Sequence, residues 1–261
     1  MVLNTRHRGG IVAALAFGTL AACGDKQVVQ KGECRPVNGA DVCAFSTTMN
    51  GELASFGAMV PIKAIENAPA NPPMVWPPVM AAGIPLPEDV RTKLGFNVLT
   101  VFWEAGGHPP AAFFTPHFDF HMNTATLDEL KAIDCVDLAK PTALPAGYGL
   151  IDVAAPPPMG KLVGLCVVGM GMHALPSSTI TDTAVFQKAM VVGYWKQKPI
   201  FAEPMIARAT LLERKSFELN IPDVAGVAAN VHYPTKFIAA YDSTAQAYKF
   251  EFTNWGKPGP K

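Results

Sequence analysis

The segment PHFDFHM places His117, Asp119 and His121 at every second position, with a phenylalanine between each pair. In a β-strand such alternate side chains share one face, and the two phenylalanines share the other. Phenylalanines favour the hydrophobic core, so the polar face needs either water or binding partners. Imidazole and carboxylate groups are common ligands of transition metals in proteins. The segment therefore predicts a metal site on one face of a strand.

Three further side chains are candidates for the same site. His108 precedes the strand in GGHPPAAFFTPHFDFH, and His173 follows the apolar stretch VVGMGM, which we expect to be a strand. We expect both histidines to complete a tetrahedral shell around one ion, together with residues of the PHFDFHM strand. Glu203, in FAEPM, is a further carboxylate, and it is the candidate general base if the site is catalytic.

Strand geometry leaves three arrangements open, because neighbours on one face are about 6.8 Å apart and His117 and His121 are about 13 Å apart. His117 and Asp119 bind the ion while His121 supports them, or Asp119 orients a ligating histidine. Alternatively, a bulge or a strong twist brings both histidines to one ion. The alternative without metal is a row of solvated side chains, or a His–Asp hydrogen bond that stabilises a loop.

The ligand types favour zinc, or another borderline divalent ion, over other metals. Copper is a second prediction, because Met170, Met172 and Met205 accompany the candidate ligands and thioether sulfur suits Cu(I). Methionines beside glycine in an apolar strand are more often packing residues, which argues against copper. His232, in the proline-bounded segment NVHYP, is interpreted as structural.

The first residues predict export and a lipid anchor. Arg6 and Arg8 precede an apolar run at 11–22 that is too short to span a bilayer comfortably, so residues 1–22 are typical of a signal peptide. The sequence Leu-Ala-Ala-Cys ending at Cys23 resembles a bacterial lipobox, which predicts a lipid on Cys23. We expect a cell-envelope lipoprotein, on the outer membrane facing the periplasm in a Gram-negative host. An ordinary signal peptide is the alternative.

The rest of the chain is predicted to hold a tether at 23–33 and one domain at 34–261. Loss of the leader reduces the 21 basic residues by Arg6 and Arg8, against 21 acidic residues, so the mature charge is near −2. No basic patch suits a nucleic acid. We therefore expect the protein to contact the membrane only through the lipid on Cys23.

Four cysteines remain after Cys23, which fits an oxidising compartment. Cys34 and Cys43 flank a turn with Asn-Gly at its centre, which favours a local disulfide between them. Cys135 and Cys166 are then left to form the second disulfide. A cysteine metal site is disfavoured, because the chain has no C-x-x-C spacing.

The fold class is predicted to be mainly β, as a single β-rich domain that is a sandwich or an irregular barrel. Scattered prolines, 24 in all, argue against long helices and predict long proline-containing loops. Thr126 and Glu129 form a capping box that predicts one short helix. Runs of β-branched and aromatic residues predict strands at 96–103, 117–122, 162–170 and 190–195, and a hairpin at 236–255.

Four stretches of the chain form a distinctive combination: GGHPPAAFFTPHFDFHM, GMGMHA, KPIFAEPMIARATLLERKSFEL and YPTKFIAAYDSTAQAYKFEF. Together they resemble a family of exported bacterial proteins of unknown function, typified by a sigma-factor-controlled homodecameric protein of Thermus. The resemblance covers about residues 48–254 and implies a β-rich domain and a homo-oligomer, but no reaction. The family pattern has an aromatic residue where this chain has Met122 and Ala174, which implies a different pocket rim.

Three functions are compatible with these features. The first is an exported metal-dependent hydrolase or lyase, in which the ion would lower the pKa of a bound water. The second is a non-enzymatic metal or small-ligand binding protein of the envelope, with a closed shell of ligands. The third is an oligomeric structural module without metal. Covalent catalysis is disfavoured, because the chain has no Ser-x-x-Lys or Gly-x-Ser-x-Gly motif.

Overall fold

The computed structural model describes residues 26–72, 75, 77–154, 160–181 and 186–255. The predicted leader at 1–22 and the lipidation site at Cys23 lie outside these residues. Within the described ranges, no helix has both the length and the apolar character needed to cross a membrane.

Antiparallel strands are the main regular structure of the described chain and far exceed the helices, which confirms the mainly β prediction. In chain order the strands are β1 (Gln27–Val37), β2 (Ala40–Met49), β3 (Glu52–Pro61), β4 (Met80–Pro85), β5 (Val98–Glu104), β6 (His117–Asn123), β7 (Tyr148–Gly149), β8 (Val153–Ala154), β9 (Lys161–Leu162), β10 (Met172–Pro176), β11 (Lys188–Trp195), β12 (Lys198–Ala207), β13 (Phe217–Asn220), β14 (Pro234–Asp242) and β15 (Ala247–Trp255).

The helices are short, as the prolines predict. They are α1 (Ile62–Glu66), α2 (Glu88–Leu94), α3 (Leu127–Lys131), α4 (Ser177–Thr181) and α5 (Arg208–Leu212), with 3₁₀ turns at Ala111–Phe113 and Val163–Leu165. The predicted capping box is present at the start of α3. The Thr126 hydroxyl accepts a hydrogen bond from the Glu129 N–H, and the Glu129 carboxylate accepts one from the Thr126 N–H.

Two large open sheets pack face to face. The six-stranded sheet has the order β1-β2-β3-β15-β14-β13, and the seven-stranded sheet has the order β4-β5-β6-β12-β11-β10-β7. Aromatic side chains fill the space between them. For example, the Phe120 ring of β6 meets the Phe250 ring of β15 at a centroid distance of 4.9 Å. Neither sheet closes on itself, so the fold is a pair of facing sheets rather than a barrel.

The seven-stranded sheet is buried on both faces. Phe118, Phe120 and Met122 of β6 belong to the core between the sheets, as the alternation predicts. A second apolar cluster covers the opposite face and is built partly from connecting segments, with Phe113 and Leu165 among its members. The polar face of β6 therefore lies inside the protein and not in water.

Two strand boundaries differ from the sequence prediction. Strand β1 begins at Gln27 and pairs with β2 from that residue onward, so most of the described part of the expected tether at 23–33 is sheet. The run at 162–170 is not a continuous strand, because Gly164 and Gly169 take positive φ values that turn the chain. The strand that carries His173 begins only at Met172, so this histidine lies near its start rather than its end.

Two disulfides join Cys34 to Cys43 and Cys135 to Cys166, which is the pairing that the cysteine spacing favours. The first closes the β1–β2 hairpin. The second anchors the irregular segment between β9 and β10 to the chain that follows α3.

We expect loss of the Cys135–Cys166 disulfide to destabilise the protein more than loss of Cys34–Cys43. The sequence separations are 31 and 9 residues, and cross-linking the longer loop restricts the unfolded chain more, by about 1 kcal/mol. Urea denaturation of the two Cys→Ser double variants measures the difference. An equal or larger loss from the hairpin pair would contradict this expectation.

Candidate metal centre

One group of potential ligands forms at the start of β6. The His117 Nε2 atom lies 3.3 Å from Asp119 Oδ1, and the His108 Nε2 atom lies 3.9 Å from Asp119 Oδ2. His108 comes from the loop between β5 and β6, which folds back so that its ring stands edge-on to the His117 ring at 4.9 Å. These two nitrogens and one carboxylate form the first group.

A second group forms from β6, its neighbour β12, and β10, which is separated from β12 by β11 in the same sheet. Ala202 of β12 is paired with Met122 of β6, and this register sets Glu203 opposite His121. The His121 Nε2 atom lies 3.2 Å from Glu203 Oε1, and the His173 Nε2 atom of β10 lies 4.0 Å from Glu203 Oε2. Within each group, the ligand atoms all lie within 4.8 Å of one another.

The separations of the close nitrogen–oxygen pairs fit a shared metal ion. Ligands at about 2.0–2.1 Å from zinc, at the tetrahedral angle, are about 3.3 Å from each other. His117–Asp119 and His121–Glu203 already have this separation, at 3.3 and 3.2 Å. The contacts of His108 and His173, at 3.9 and 4.0 Å, are longer than this separation by about 0.6–0.7 Å.

Each histidine is held by its outer ring nitrogen. The Nδ1 atoms of His108, His117 and His173 lie 2.7–3.0 Å from backbone carbonyl oxygens, to which they donate as N–H groups. His121 Nδ1 lies 3.4 Å from the Thr100 hydroxyl oxygen. Donation from Nδ1 leaves a lone pair on Nε2, which is the arrangement that orients ligating histidines in metal sites.

The inward-facing atoms form no hydrogen bonds with the described residues. They are His117 Nε2, His121 Nε2, Asp119 Oδ1 and both carboxylate oxygens of Glu203. Buried polar atoms are nearly always paired, and a nitrogen lone pair facing an ionised carboxylate is repulsive. The carboxyl group of each close pair must therefore be neutralised, by a proton or by a metal ion.

Burial opposes every charge in these groups. The exposed fractions of His117, Asp119 and His121 are 0%, 4% and 1%, which excludes the solvated row of side chains. Burial lowers the pKa of His108 to about 4 and the pKa values of His121 and His173 to about 3.

Burial also raises the carboxyl pKa values. The pKa of Asp119 stands well above its usual range, mainly through burial and then through the nearby Glu203 and Glu104 carboxylates. The pKa of Glu203 is raised by burial as well. Without a cation, the neutral forms of histidine and carboxyl are both favoured.

Aromatic packing fixes the second group. The Phe201 ring stacks on the His121 ring at 4.5 Å and lies 5.2 Å from the His173 ring. A Cβ atom at Gly193, on the intervening strand β11, would stand 1.9 Å from the Phe201 ring. Glycine at this position lets the ring lie flat against the sheet between the two histidines.

A small cavity of about 20 Å³ adjoins both groups. His108 and Asp119 of the first group and His173 of the second line it, together with Glu104 and apolar side chains. A larger cavity, of about 580 Å³, lies elsewhere, among residues 144–146, 222–227 and 231–235, and none of the candidate ligands lines it. The chemistry of the protein is therefore expected at the smaller cavity.

The structure brings the six predicted residues together, but in two groups of three instead of one shell. His121 has its own partners and does not support the His117–Asp119 pair. Glu203 stands between His121 and His173, in the position of a ligand and not of a remote base. Strand geometry is the reason, because the polar side chains of β6 are too far apart to converge on one point.

The other residues that the sequence singled out are not among the candidate ligands of the two groups. Met122 and Ala174 lie in the core between the sheets, so neither forms the pocket rim that the resemblance implies. Met172 is also in that core, whereas Met170 lines the small cavity and Met205 is paired with Asp119 across the sheet. His232 belongs to neither group.

Glu104 is the residue that the sequence analysis missed. It ends β5 opposite His117 and lines the cavity. No hydrogen bond or ion pair joins its carboxylate to another described residue, and burial, followed by the charge of Glu203, raises its pKa to about 7. The sequence does contain an indication of its role, because Glu104 directly follows the apolar run FNVLTVFW and comes shortly before the GGH segment that carries His108.

No family model, no curated protein and no solved structure matches this chain. The resemblance noted from the sequence therefore stays a prediction, and the function must be argued from the site itself.

We expect Glu203→Gln to stabilise the metal-free protein above pH 7. An unfolded glutamate ionises near pH 4.5, whereas folded Glu203 keeps its proton to well above that pH. Folded stability is therefore lost as pH rises, by at most about 1.4 kcal/mol per pH unit for each such carboxyl. The histidines do not contribute there, because they are neutral in both states. Urea denaturation in EDTA between pH 7 and 9 measures the slope.

Glu52→Gln is the matched control, because Glu52 is exposed on β3. It should leave the pH dependence unchanged. A Glu203→Gln variant that is less stable than the wild type at pH 8.5, without metal, would contradict the assignment of Glu203 as an uncompensated buried carboxyl.

Proposed function

We propose that this chain is an exported lipoprotein that binds a divalent transition metal, zinc above all, between buried histidines and carboxylates. The ligands would be His108, His117, Asp119, His121, His173 and Glu203. The observation that carries the proposal is the pair of close contacts, at 3.2 and 3.3 Å, between imidazole nitrogens and carboxylate oxygens that form no hydrogen bonds.

Zinc suits the donors better than copper does. The two groups offer imidazole nitrogens and carboxylate oxygens, which zinc binds readily. Of the three methionines considered for copper, Met172 packs in the core, Met170 lines the cavity, and Met205 is paired with Asp119 and packs in the second apolar cluster. Copper thus has one candidate thioether at the cavity, and it is the second choice.

Metal binding without catalysis is the function that the geometry supports best. The cavity beside the ligands has room for about one water molecule, so a large substrate does not reach the ligands in this conformation. A metal-dependent hydrolase or lyase is the second candidate. The cavity itself favours it, because a water bound there would meet His108, Asp119 and Glu104, and a metal would lower its pKa.

The proposed location rests on the N-terminal sequence and on the disulfides. The lipobox-like sequence at Cys23 supports a lipid anchor in the cell envelope, and two disulfides fit an oxidising compartment such as the periplasm. A homo-oligomer, which the resemblance implies, belongs to the same proposal. An oligomeric structural module without metal is the remaining alternative.

Elemental analysis of the exported protein tests metal binding. We expect stoichiometric zinc in the wild type and none in the His117→Ala/His121→Ala double variant, because that variant removes a ligand from each group. Added zinc should also raise the melting temperature of the wild type alone, since a ligand at a hundred times its Kd adds about 2.7 kcal/mol to the free energy of unfolding.

His232→Ala serves as the control, because His232 is outside both groups, and it should keep the full metal content. A wild-type protein that holds no metal, even after refolding with zinc, cobalt or copper, would overturn the proposal. The oligomeric structural module without metal would then be the remaining function.

A further inference from the structure

The ligand groups are separate in space, although both begin from the polar face of β6. Asp119 and His121 are two positions apart, which is about 6.8 Å along the strand. Within each group of three, the ligand atoms all lie within 4.8 Å of one another. Among the described residues, the six side chains together do not meet this distance. A single ion therefore cannot use all six ligands.

The two groups nevertheless adjoin one cavity. His108 and Asp119 reach it from the first group and His173 reaches it from the second. In keeping with this proximity, the charge of Glu203 contributes, after burial, to the raised pKa of Asp119. The cavity volume, about 20 Å³, exceeds the minimum of roughly 10–15 Å³ that one water requires.

Charge balance allows two ions as well as one. Asp119, Glu203 and Glu104 converge on this interior, and no lysine or arginine among the described residues pairs with any of them. One divalent ion would leave one negative charge uncompensated when all three carboxylates are ionised. Two divalent ions bring four positive charges, which three carboxylates and one hydroxide neutralise. Burial of net charge is costly. One ion with Glu104 protonated and two ions with a hydroxide are both neutral, so it is the second complete set of three ligands that argues for a second ion.

We propose that the centre is dinuclear, with one ion on His108, His117 and Asp119, a second on His121, His173 and Glu203, and a water-derived hydroxide or a small anion in the cavity between them. Glu104 faces this small ligand and binds neither ion. This inference rests on the proposed metal binding, and it adds the number of ions, their separate ligand sets and the class of the third component.

Counting ions in single variants tests the two ligand sets. Titration of the metal-free full chain with Co²⁺, followed by elemental analysis, should give two ions per chain for the wild type. His117→Ala should lose one ion from the first group, and His173→Ala should lose one ion from the second. Near-ultraviolet circular dichroism confirms that each variant keeps its fold.

The outcome separates this inference from the proposed function. A wild type that binds one ion, which both single variants lose, would overturn the dinuclear centre and keep a metal-binding protein. A wild type that binds none would overturn both. His232→Ala, which lies outside both groups, should still bind two ions, and loss of an ion in this variant would overturn the assignment of the ions to the two ligand sets.

Anion binding tests the cavity ligand. Fluoride is close to water in size, so it should change the visible spectrum of the dicobalt protein, whereas acetate, which is too large for the cavity, should not. Glu104→Gln removes a negative charge beside the anion and should increase the affinity for fluoride about tenfold. Equal spectral responses to acetate and fluoride, or no response to fluoride, would overturn the proposal that a hydroxide or small anion occupies the cavity.

Discussion

The close approach of imidazole nitrogens to carboxylate oxygens in a dry interior is the interaction on which the rest of the site depends. His117 faces Asp119 and His121 faces Glu203 at separations that suit two ligands of one ion. Such a contact is repulsive between a lone pair and an ionised oxygen, and burial opposes the charged form of each partner. In this interior the carboxyl group therefore either keeps its proton or has its charge balanced by a cation.

The fold holds these atoms in place through a sheet that is buried on both faces. Strand β6 lies inside the seven-stranded sheet, with β5 and β12 as its neighbours, so its backbone hydrogen bonds fix the direction of each side chain. Backbone carbonyls hold three of the four histidine rings from outside. The carbonyl that holds His173 belongs to Leu165, next to Cys166, so the second disulfide also anchors the ring.

Local patterns were sufficient for much of this architecture. The alternation in PHFDFHM predicted which side chains of β6 face the core, and the capping box predicted the start of α3. Sequence patterns did not predict the conformation where the chain turns without a characteristic local motif. Gly164 and Gly169 turn a run that is apolar enough for a strand, and the loop that carries His108 folds back over β6 through contacts that are distant in sequence.

The sequence by itself determined the fold class, the cysteine pairing and the set of side chains with metal-binding chemistry, because period-two alternation, turn residues and residue types are local properties. Only the tertiary structure decided how those side chains are divided. The register of β12 against β6 sets Glu203 beside His121, and the pairing of β5 with β6 brings Glu104 to the cavity. Register between strands depends on the burial of whole faces, which no short segment encodes.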